Sequence, residues 1–353
     1  MRKIQEYIAK GKQIFVGLED SKRTWKLCVR SDRMIVHETG IPAEYENLRS
    51  YLFRRYPVCD IQVIYEAGFS GFWLHDKLQA DGIECIVTPP NRVTMEKVTA
   101  VKTDKRDARR LAKNLENNDF TRCHVPDRER REDRQLSRTL EQVQRDITCT
   151  KNRIRKFLDY HGLNAGFPPG RWNDSYYSRL AELELSGALR ISLDVYLRVL
   201  HGLTELKKEL IKELKALSEK ARYAQSVQIK KSCPGIGILT AIRLTLEWGD
   251  MSRFPSGKHI ASYTGLTSRE YSTGETVRRG RITAQGRNTI RSWLIQCSWI
   301  ALRKDPVLMQ KFQHVWRNSG SKKKAIVAVA RKIVVRLRAV ELCEYNYSPG
   351  VVE

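Results

Sequence analysis

Ile14-Phe15-Val16-Gly17-Leu18-Glu19-Asp20 is a short apolar run closed by two carboxylates, and it reads as a buried strand. Thr24-Trp25-Lys26-Leu27-Cys28-Val29 alternates as a second strand, and Met34-Ile35-Val36 follows the turn-like Ser31-Asp32 as a third. Leu48, Tyr51, Leu52 and Tyr56 carry helical spacing from Glu44 to Tyr56. Ile61-Gln62-Val63-Ile64-Tyr65 reads as a fourth strand and Phe72-Trp73-Leu74 to Leu78 as a helix. Ile83-Glu84-Cys85-Ile86-Val87 is a fifth strand, stopped by Pro89-Pro90. From Thr103 to about Asn117 the pattern is helical again. This order predicts an α/β domain with a mixed sheet over residues 1–125.

Beyond it the period changes. Residues 126–228 are helical almost throughout, through Leu136, Leu140, Val143, Ile147 and Ile154, then through Leu197, Leu200, Leu203, Leu206, Leu210, Leu214 and Leu217. Phe167-Pro168-Pro169-Gly170 separates the two arms. Heptad-like leucines with Glu and Lys between them predict a coiled-coil arm, either an oligomer interface or an intramolecular two-helix hairpin. Residues 229–345 read as a third, mainly α-helical domain. It opens on Pro234-Gly235-Ile236-Gly237, the kind of glycine turn between helices that brings backbone N–H groups to a phosphate. Further helices are expected from Thr289 to Leu302 and from Ala325 to Leu342.

The 353 residues carry 64 Lys+Arg against 40 Asp+Glu, a net charge of +24. The excess is uneven. Residues 1–120 hold 21 basic and 17 acidic side chains, whereas residues 267–340 hold 17 basic and only 3 acidic. Basic clusters interleaved with aromatics neutralise phosphates, so nucleic acid is the expected partner. No apolar run approaches the length of a membrane span. Met1-Arg2-Lys3-Ile4-Gln5-Glu6 lacks a signal-peptide core, so a cytoplasmic, nucleoid-associated protein is expected. Eight cysteines without CxxC pairing, and seven histidines without HxxH, argue against zinc and disulfide scaffolds.

The carboxylates stand where phosphoryl chemistry needs them. Glu19 and Asp20 end the first strand and Glu66 ends the fourth, followed by Ala67-Gly68. Asp104 and Asp107 lie at i and i+3, on one side of a helix. Oxygen-only ligands point to Mg²⁺ or Mn²⁺, and two such ions about 4 Å apart activate one oxygen on phosphorus and stabilise the leaving one. The plainer readings are Asp104 as a helix cap and Asp107 as an ion-pair partner of neighbouring arginines. Together the acids describe a ribonuclease-H-like nuclease core.

Phe15-Val16-Gly17-Leu18-Glu19-Asp20-Ser21-Lys22, Tyr65-Glu66-Ala67-Gly68 and Lys102-Thr103-Asp104-Lys105-Arg106-Asp107-Ala108-Arg109 resemble the DEDD-type insertion-sequence transposases. Their C-terminal signature is similar to Cys233-Pro234-Gly235-Ile236-Gly237, Arg253-Phe254, Tyr263-Thr264-Gly265-Leu266-Thr267, Tyr271-Ser272-Thr273-Gly274 and Gly280-Arg281-Ile282-Thr283. The resemblance implies a Holliday-junction-resolvase-like N-terminal domain, a coiled-coil arm and a C-terminal domain with a nucleophilic serine. It also implies recombination of donor and target DNA guided by a bridge RNA, in a homodimer or homotetramer. Matched by position, Glu66, Asp104 and Asp107 are the second to fourth acids. The first is a departure, because Glu19 stands where the family carries Asp, with Asp20 next; neighbours on a strand face opposite ways, and position favours Glu19. The serine slot, just before Gly274, is a second departure, since it holds Thr273 with Ser272 before it; Ser272 is preferred because a β-branched hydroxyl is hindered, with Thr273 the alternative.

On this reading Ser272 attacks a DNA phosphodiester and metal held by the acids assists. Arg278, Arg279, Arg281, Arg287 and Arg291 grip phosphates with Lys322-Lys323-Lys324, and backbone N–H groups at Gly235 and Gly237 add to them. Sequence choice would come from RNA pairing. The competing readings are a metal-dependent junction nuclease that hydrolyses with water, with Ser272 only capping a turn, and a non-catalytic nucleic-acid-binding relative, for which the departure at Glu19 speaks.

Overall fold

The computed structural model describes residues 11–90, 103–167, 172–273, 276–283 and 285–350. Met1–Glu6, Pro168–Gly170, Gly274 and Lys102, which figure in the sequence reading, lie outside the described residues, as does the side chain of Arg279. The chain divides into two compact units, Met1–Pro126 and Asp127–Glu353.

The first unit is a five-stranded mixed sheet in the order β3-β2-β1-β4-β5, formed by β1 (Gln13–Glu19), β2 (Thr24–Ser31), β3 (Met34–Pro42), β4 (Asp60–Glu66) and β5 (Glu84–Thr88). The strands β1, β4 and β5 pair in parallel, and β2 pairs antiparallel with both β1 and β3. All five fall on the apolar runs expected from sequence. Alternation sorts their side chains: Ile14, Val16 and Leu18 of β1 join Ile61, Val63 and Tyr65 of β4 in one core with Leu48 and Leu52 of α1 (Tyr45–Arg55) and Leu74 and Leu78 of α2 (Trp73–Ala80). On the opposite face α3 (Asp104–Glu116) packs through Leu111 and Leu115 on Ile64 and Ile86.

Gly17 sets how close α3 comes. A Cβ built there would stand 2.2 Å from the Ala108 carbonyl oxygen and 2.4 Å from the Ala112 amide nitrogen. Helix backbone therefore lies directly on strand backbone, which only glycine facing two alanines permits. Buried Ala108 and Ala112, with Cys28, complete that contact.

The second unit begins with two 33-residue helices, α4 (Arg128–Tyr160) and α6 (Gly187–Glu219), either side of the short α5 (Asp174–Ala181). Leu140 of α4 shares a core with Leu214 and Leu217 of α6, whereas Ile154 and Leu158 share another with Leu193 and Leu200, so the helices run antiparallel. Part of the leucine series is thus used inside the chain; Leu206 stays exposed, at 49%. The series of α7 (Ala221–Ser232), α8 (Ile238–Trp248), α9 (Gly257–Tyr263), α10 (Asn288–Ala301), α11 (Pro306–Ser319) and α12 (Lys322–Leu342) closes around the larger core.

The short α9 was not read from the sequence, and two further elements escaped it. Residues read as a serine loop form a two-stranded hairpin, β6 (Ser268–Thr273) with β7 (Thr276–Ile282). Every residue of β6 is exposed, so no apolar alternation betrayed it. The other is α11, whose signals are the Asp305 cap, which accepts from the amides of Val307 and Leu308, and Pro306 in the first turn. No helix among the described residues is long and apolar enough to cross a membrane.

Candidate active site

Glu19 and Glu66 end parallel neighbours β1 and β4 and, by alternation, face the side that α3 covers. Asp104 and Asp107 occupy the first turn of α3, which Gly17 allows down onto β1. The helix start is capped by the Thr103 side chain, which accepts from the Arg106 amide. Asp104 is therefore free of the capping role and is exposed, whereas Asp107 is buried, at 5% exposure. Strand ends and helix start thus gather four of the expected acids at one corner of the first unit.

Their electrostatics agree. The Glu19 carboxyl is pushed up to about 7, first by burial and then by the charges of Glu66, Asp107, Asp20 and Asp104. Asp20, just past the strand, contributes charge to Glu19, and its Oδ2 is buried without a hydrogen-bond partner; so is Oδ2 of Asp107.

Whether these residues suit a divalent cation is decided by the donors themselves. All are carboxylates, the ligand type of Mg²⁺ and Mn²⁺. The orphaned oxygens and the raised Glu19 mark negative charge gathered with too little counter-charge. Among the described residues, no three of His, Cys, Asp and Glu close to ligand distance. Instead the guanidinium of Arg110 reaches between Glu66 and Asp107, at 3.0 Å from each. The donor type is that of such a cation, and in this structure Arg110 pairs with two of the donors. Arg110 was missed in the sequence; its signal is the i+3 spacing from Asp107.

A raised Glu19 has a consequence for stability. With a folded value near 7 and an ordinary value of 4.5, the folded protein holds this proton where the unfolded chain has lost it. Stability from this group is complete below pH 4.5 and is lost as pH rises towards 7. The melting temperature of EDTA-treated protein should fall across that window, and Glu19→Gln should flatten the slope. Parallel profiles for parent and variant would reject the assignment.

In the second unit Ser272 and Thr273 lie on β6, exposed, with Ser272 opposite Val277 and Thr273 opposite Thr276. The Ser272 hydroxyl donates to Glu270 Oε1 at 2.9 Å, a partner two residues back on the same strand face that sequence reading overlooked. Arg278 and Arg281 are exposed on β7.

The other expected phosphate contacts divide. Arg287 is turned inward: it pairs with Glu247 and, at 2.8 Å, with Glu141. Those carboxylates, 2% and 7% exposed, also hold Arg134 at 2.9 Å and Arg243 at 3.3 Å, a network tying α4, α8 and the start of α10. A buried carboxylate is costly without such partners, so Arg287 is committed to the fold. Arg291 bonds the Gly265 carbonyl and Asn288. Lys322, Lys323 and Lys324 are exposed in the first turn of α12. Gly235, at φ +88, lies so close to α10 that a Cβ would meet the Cys297 carbonyl oxygen at 2.5 Å, so its conformation and bareness serve packing. Gly237, ahead of α8, has open space around it.

Comparison with known proteins bears on the family. Residues 16–162 match a family model described as the DEDD transposase of IS110, and residues 227–313 match the transposase IS116/IS110/IS902 family. The first match contains all four acids and the second contains the hairpin. A Sinorhizobium fredii protein assigned as a transposase, y4rJ, is 29% identical over 366 residues, covering 92% of this chain and 90% of its own. Another from that organism, y4qE, is 29% identical over 238 residues, or 67% of this chain; the chain spans 57% of its length. The transposase for insertion sequence element IS1533 of Leptospira borgpetersenii is 23% identical over 73% of this chain and 76% of its own. With two models of one family spanning about two thirds of the chain in order, the chain belongs to the IS110-type DEDD transposases.

Proposed function

We propose that this transposase cuts and rejoins DNA strands of an insertion sequence through a phosphoserine intermediate, uses Mg²⁺ or Mn²⁺, and takes its DNA sites from a bridge RNA. The observation that carries the proposal is the gathering of Glu19, Glu66, Asp104 and Asp107 at one corner of the sheet, short of positive charge.

Glu19, Glu66 and Asp107 would hold the cation, with exposed Asp104 at the mouth. When bound, the cation polarises the phosphoryl group and makes a hydroxyl easier to deprotonate. Glu270, already accepting from Ser272, is placed to take the hydroxyl proton as general base. The Oγ–phosphorus bond forms while the bond from phosphorus to the departing strand's oxygen breaks, and that oxygen takes up a proton. Attack by another strand's hydroxyl reverses these steps and returns the serine, so the phosphodiester's energy is kept. Arg278, Arg281 and Lys322–Lys324 supply phosphate contacts without base readout. RNA pairing would then select the site. Exchange between two duplexes makes a homodimer or homotetramer the expected working assembly.

A hydrolytic nuclease is the second reading. It needs only the acids, and the full exposure of Ser272 on its hairpin favours it. The two separate in a suicide-substrate reaction containing protein, element-end DNA, flanking RNA and Mg²⁺, resolved on a denaturing gel. The expected result is a protein–DNA adduct lost with EDTA and with Ser272→Ala, and retained with Thr273→Ala. Cleaved ends without an adduct would sink the serine mechanism.

A further inference from the structure

Arg110 stands one turn beyond Asp107 on α3, and a single nitrogen, Nη2, lies 3.0 Å from Glu66 Oε1 and 3.0 Å from Asp107 Oδ1. It joins the acid that ends a strand to the acid that starts a helix. The side chain is drawn inward, about one-fifth exposed, and its Nε is buried with no partner. An arginine held by solvent would keep that N–H in water, so attraction to the carboxylates outweighs the loss of a hydrogen bond. The neighbouring Arg109 behaves differently, leaving the corner to pair with Glu38.

We infer that Arg110 is the resident counter-cation of the acidic centre, occupying the place between Glu66 and Asp107 that a divalent cation must take from it. The inference rests on the reading of these acids as metal ligands. Carboxylate oxygens bound to Mg²⁺ stand about 2.0–2.1 Å from the ion. A guanidinium on the same two oxygens would then face a doubly charged ion within a few ångströms, where repulsion is strong. Pairing and metal binding therefore exclude each other, and the affinity for metal is lowered by the fraction of protein in which the pair is closed. Arg110 is a positioning residue: it keeps the two acids side by side, against their mutual repulsion, until a cation arrives.

The test is Mn²⁺ binding to the full chain, followed by calorimetry and by the loss of the free-ion electron paramagnetic resonance signal. Arg110→Gln is expected to bind Mn²⁺ about tenfold tighter, an effect of the usual size for coupled equilibria. Its melting temperature should fall in EDTA and recover further than the parent's on adding Mn²⁺. Arg110→Lys, whose single ammonium bridges two acids less well, should shift affinity the same way by less, and it covers the case in which the glutamine variant folds poorly. Unchanged or weaker Mn²⁺ binding in both variants overturns the inference. The Glu66→Gln/Asp107→Asn double variant separates the two levels. If the parent binds Mn²⁺ and this variant does not, the acids are ligands and only the role of Arg110 is at stake. If parent and double variant bind alike, the metal reading itself fails and takes Arg110's role with it.

Discussion

Glu66→Gln and Asp107→Asn should each reduce DNA strand cleavage by roughly 10³-fold or more at saturating Mg²⁺. The metal's electrostatic contribution to phosphoryl transfer is several kcal/mol, and each 1.36 kcal/mol is a factor of ten. Both substitutions keep side-chain shape, and each removes one negative charge from the cluster while leaving Arg110 its other carboxylate partner, so folding should be preserved. DNA affinity should change little, because the expected phosphate contacts lie in the second unit, on β7 and at the start of α12. The measurement is single-turnover cleavage alongside a filter-binding titration. Rates within tenfold of the parent would remove these acids from the chemistry, and equal losses of binding and cleavage would assign them to DNA binding.

Gly17→Ala should be the most damaging single methyl group in the first unit. The new Cβ meets two backbone atoms of α3, at 2.2 and 2.4 Å, and neither is the end of a flexible side chain. Overpacking that side chains can relax costs about 1–3 kcal/mol; here the helix must lift, so about 3 kcal/mol or more is expected. For a domain of this size that is a drop of roughly 10 °C or more in melting temperature. Lifting α3 also carries Asp104 and Asp107 away from Glu19 and Glu66, so cleavage should fall with stability. Gly68→Ala is the control, since its Cβ would meet nothing closer than Glu66 O at 3.8 Å. A Gly17→Ala protein that melts with the parent and protects β1 and α3 amides from exchange equally would show that α3 is held differently.

Much of the first unit was legible because its signals are local. Five apolar runs alternate or stop at turn residues, and all five became strands in an order that leaves β1 and β4 as neighbours. The acids were legible because each closes such a run or starts the helix. Arg110 was not, because an arginine three residues from an aspartate is common on any helix surface. Only its approach to Glu66, 44 residues away in sequence, gives it meaning. The same holds for Arg287. It sits in a basic stretch that reads as a phosphate grip, but it is bound by Glu247 and Glu141, 40 and 146 residues away. Charge along a sequence says nothing about which carboxylate the fold will bring beside it. The strand carrying Ser272 was hidden for another reason: every residue of β6 is exposed, so it lacks the periodicity by which strands are recognised.

By itself, then, the sequence determined the strand and helix order of the first unit, the helical character of the rest, the basic bias of the C-terminal third and the identity of the acids. These rest on residue type and spacing, which are properties of the chain before it folds. Tertiary structure alone decided which charges are spent on one another, and how closely α3 lies on β1. Both depend on distances between residues far apart in sequence, and an ion pair or a backbone contact exists only once the fold has closed them.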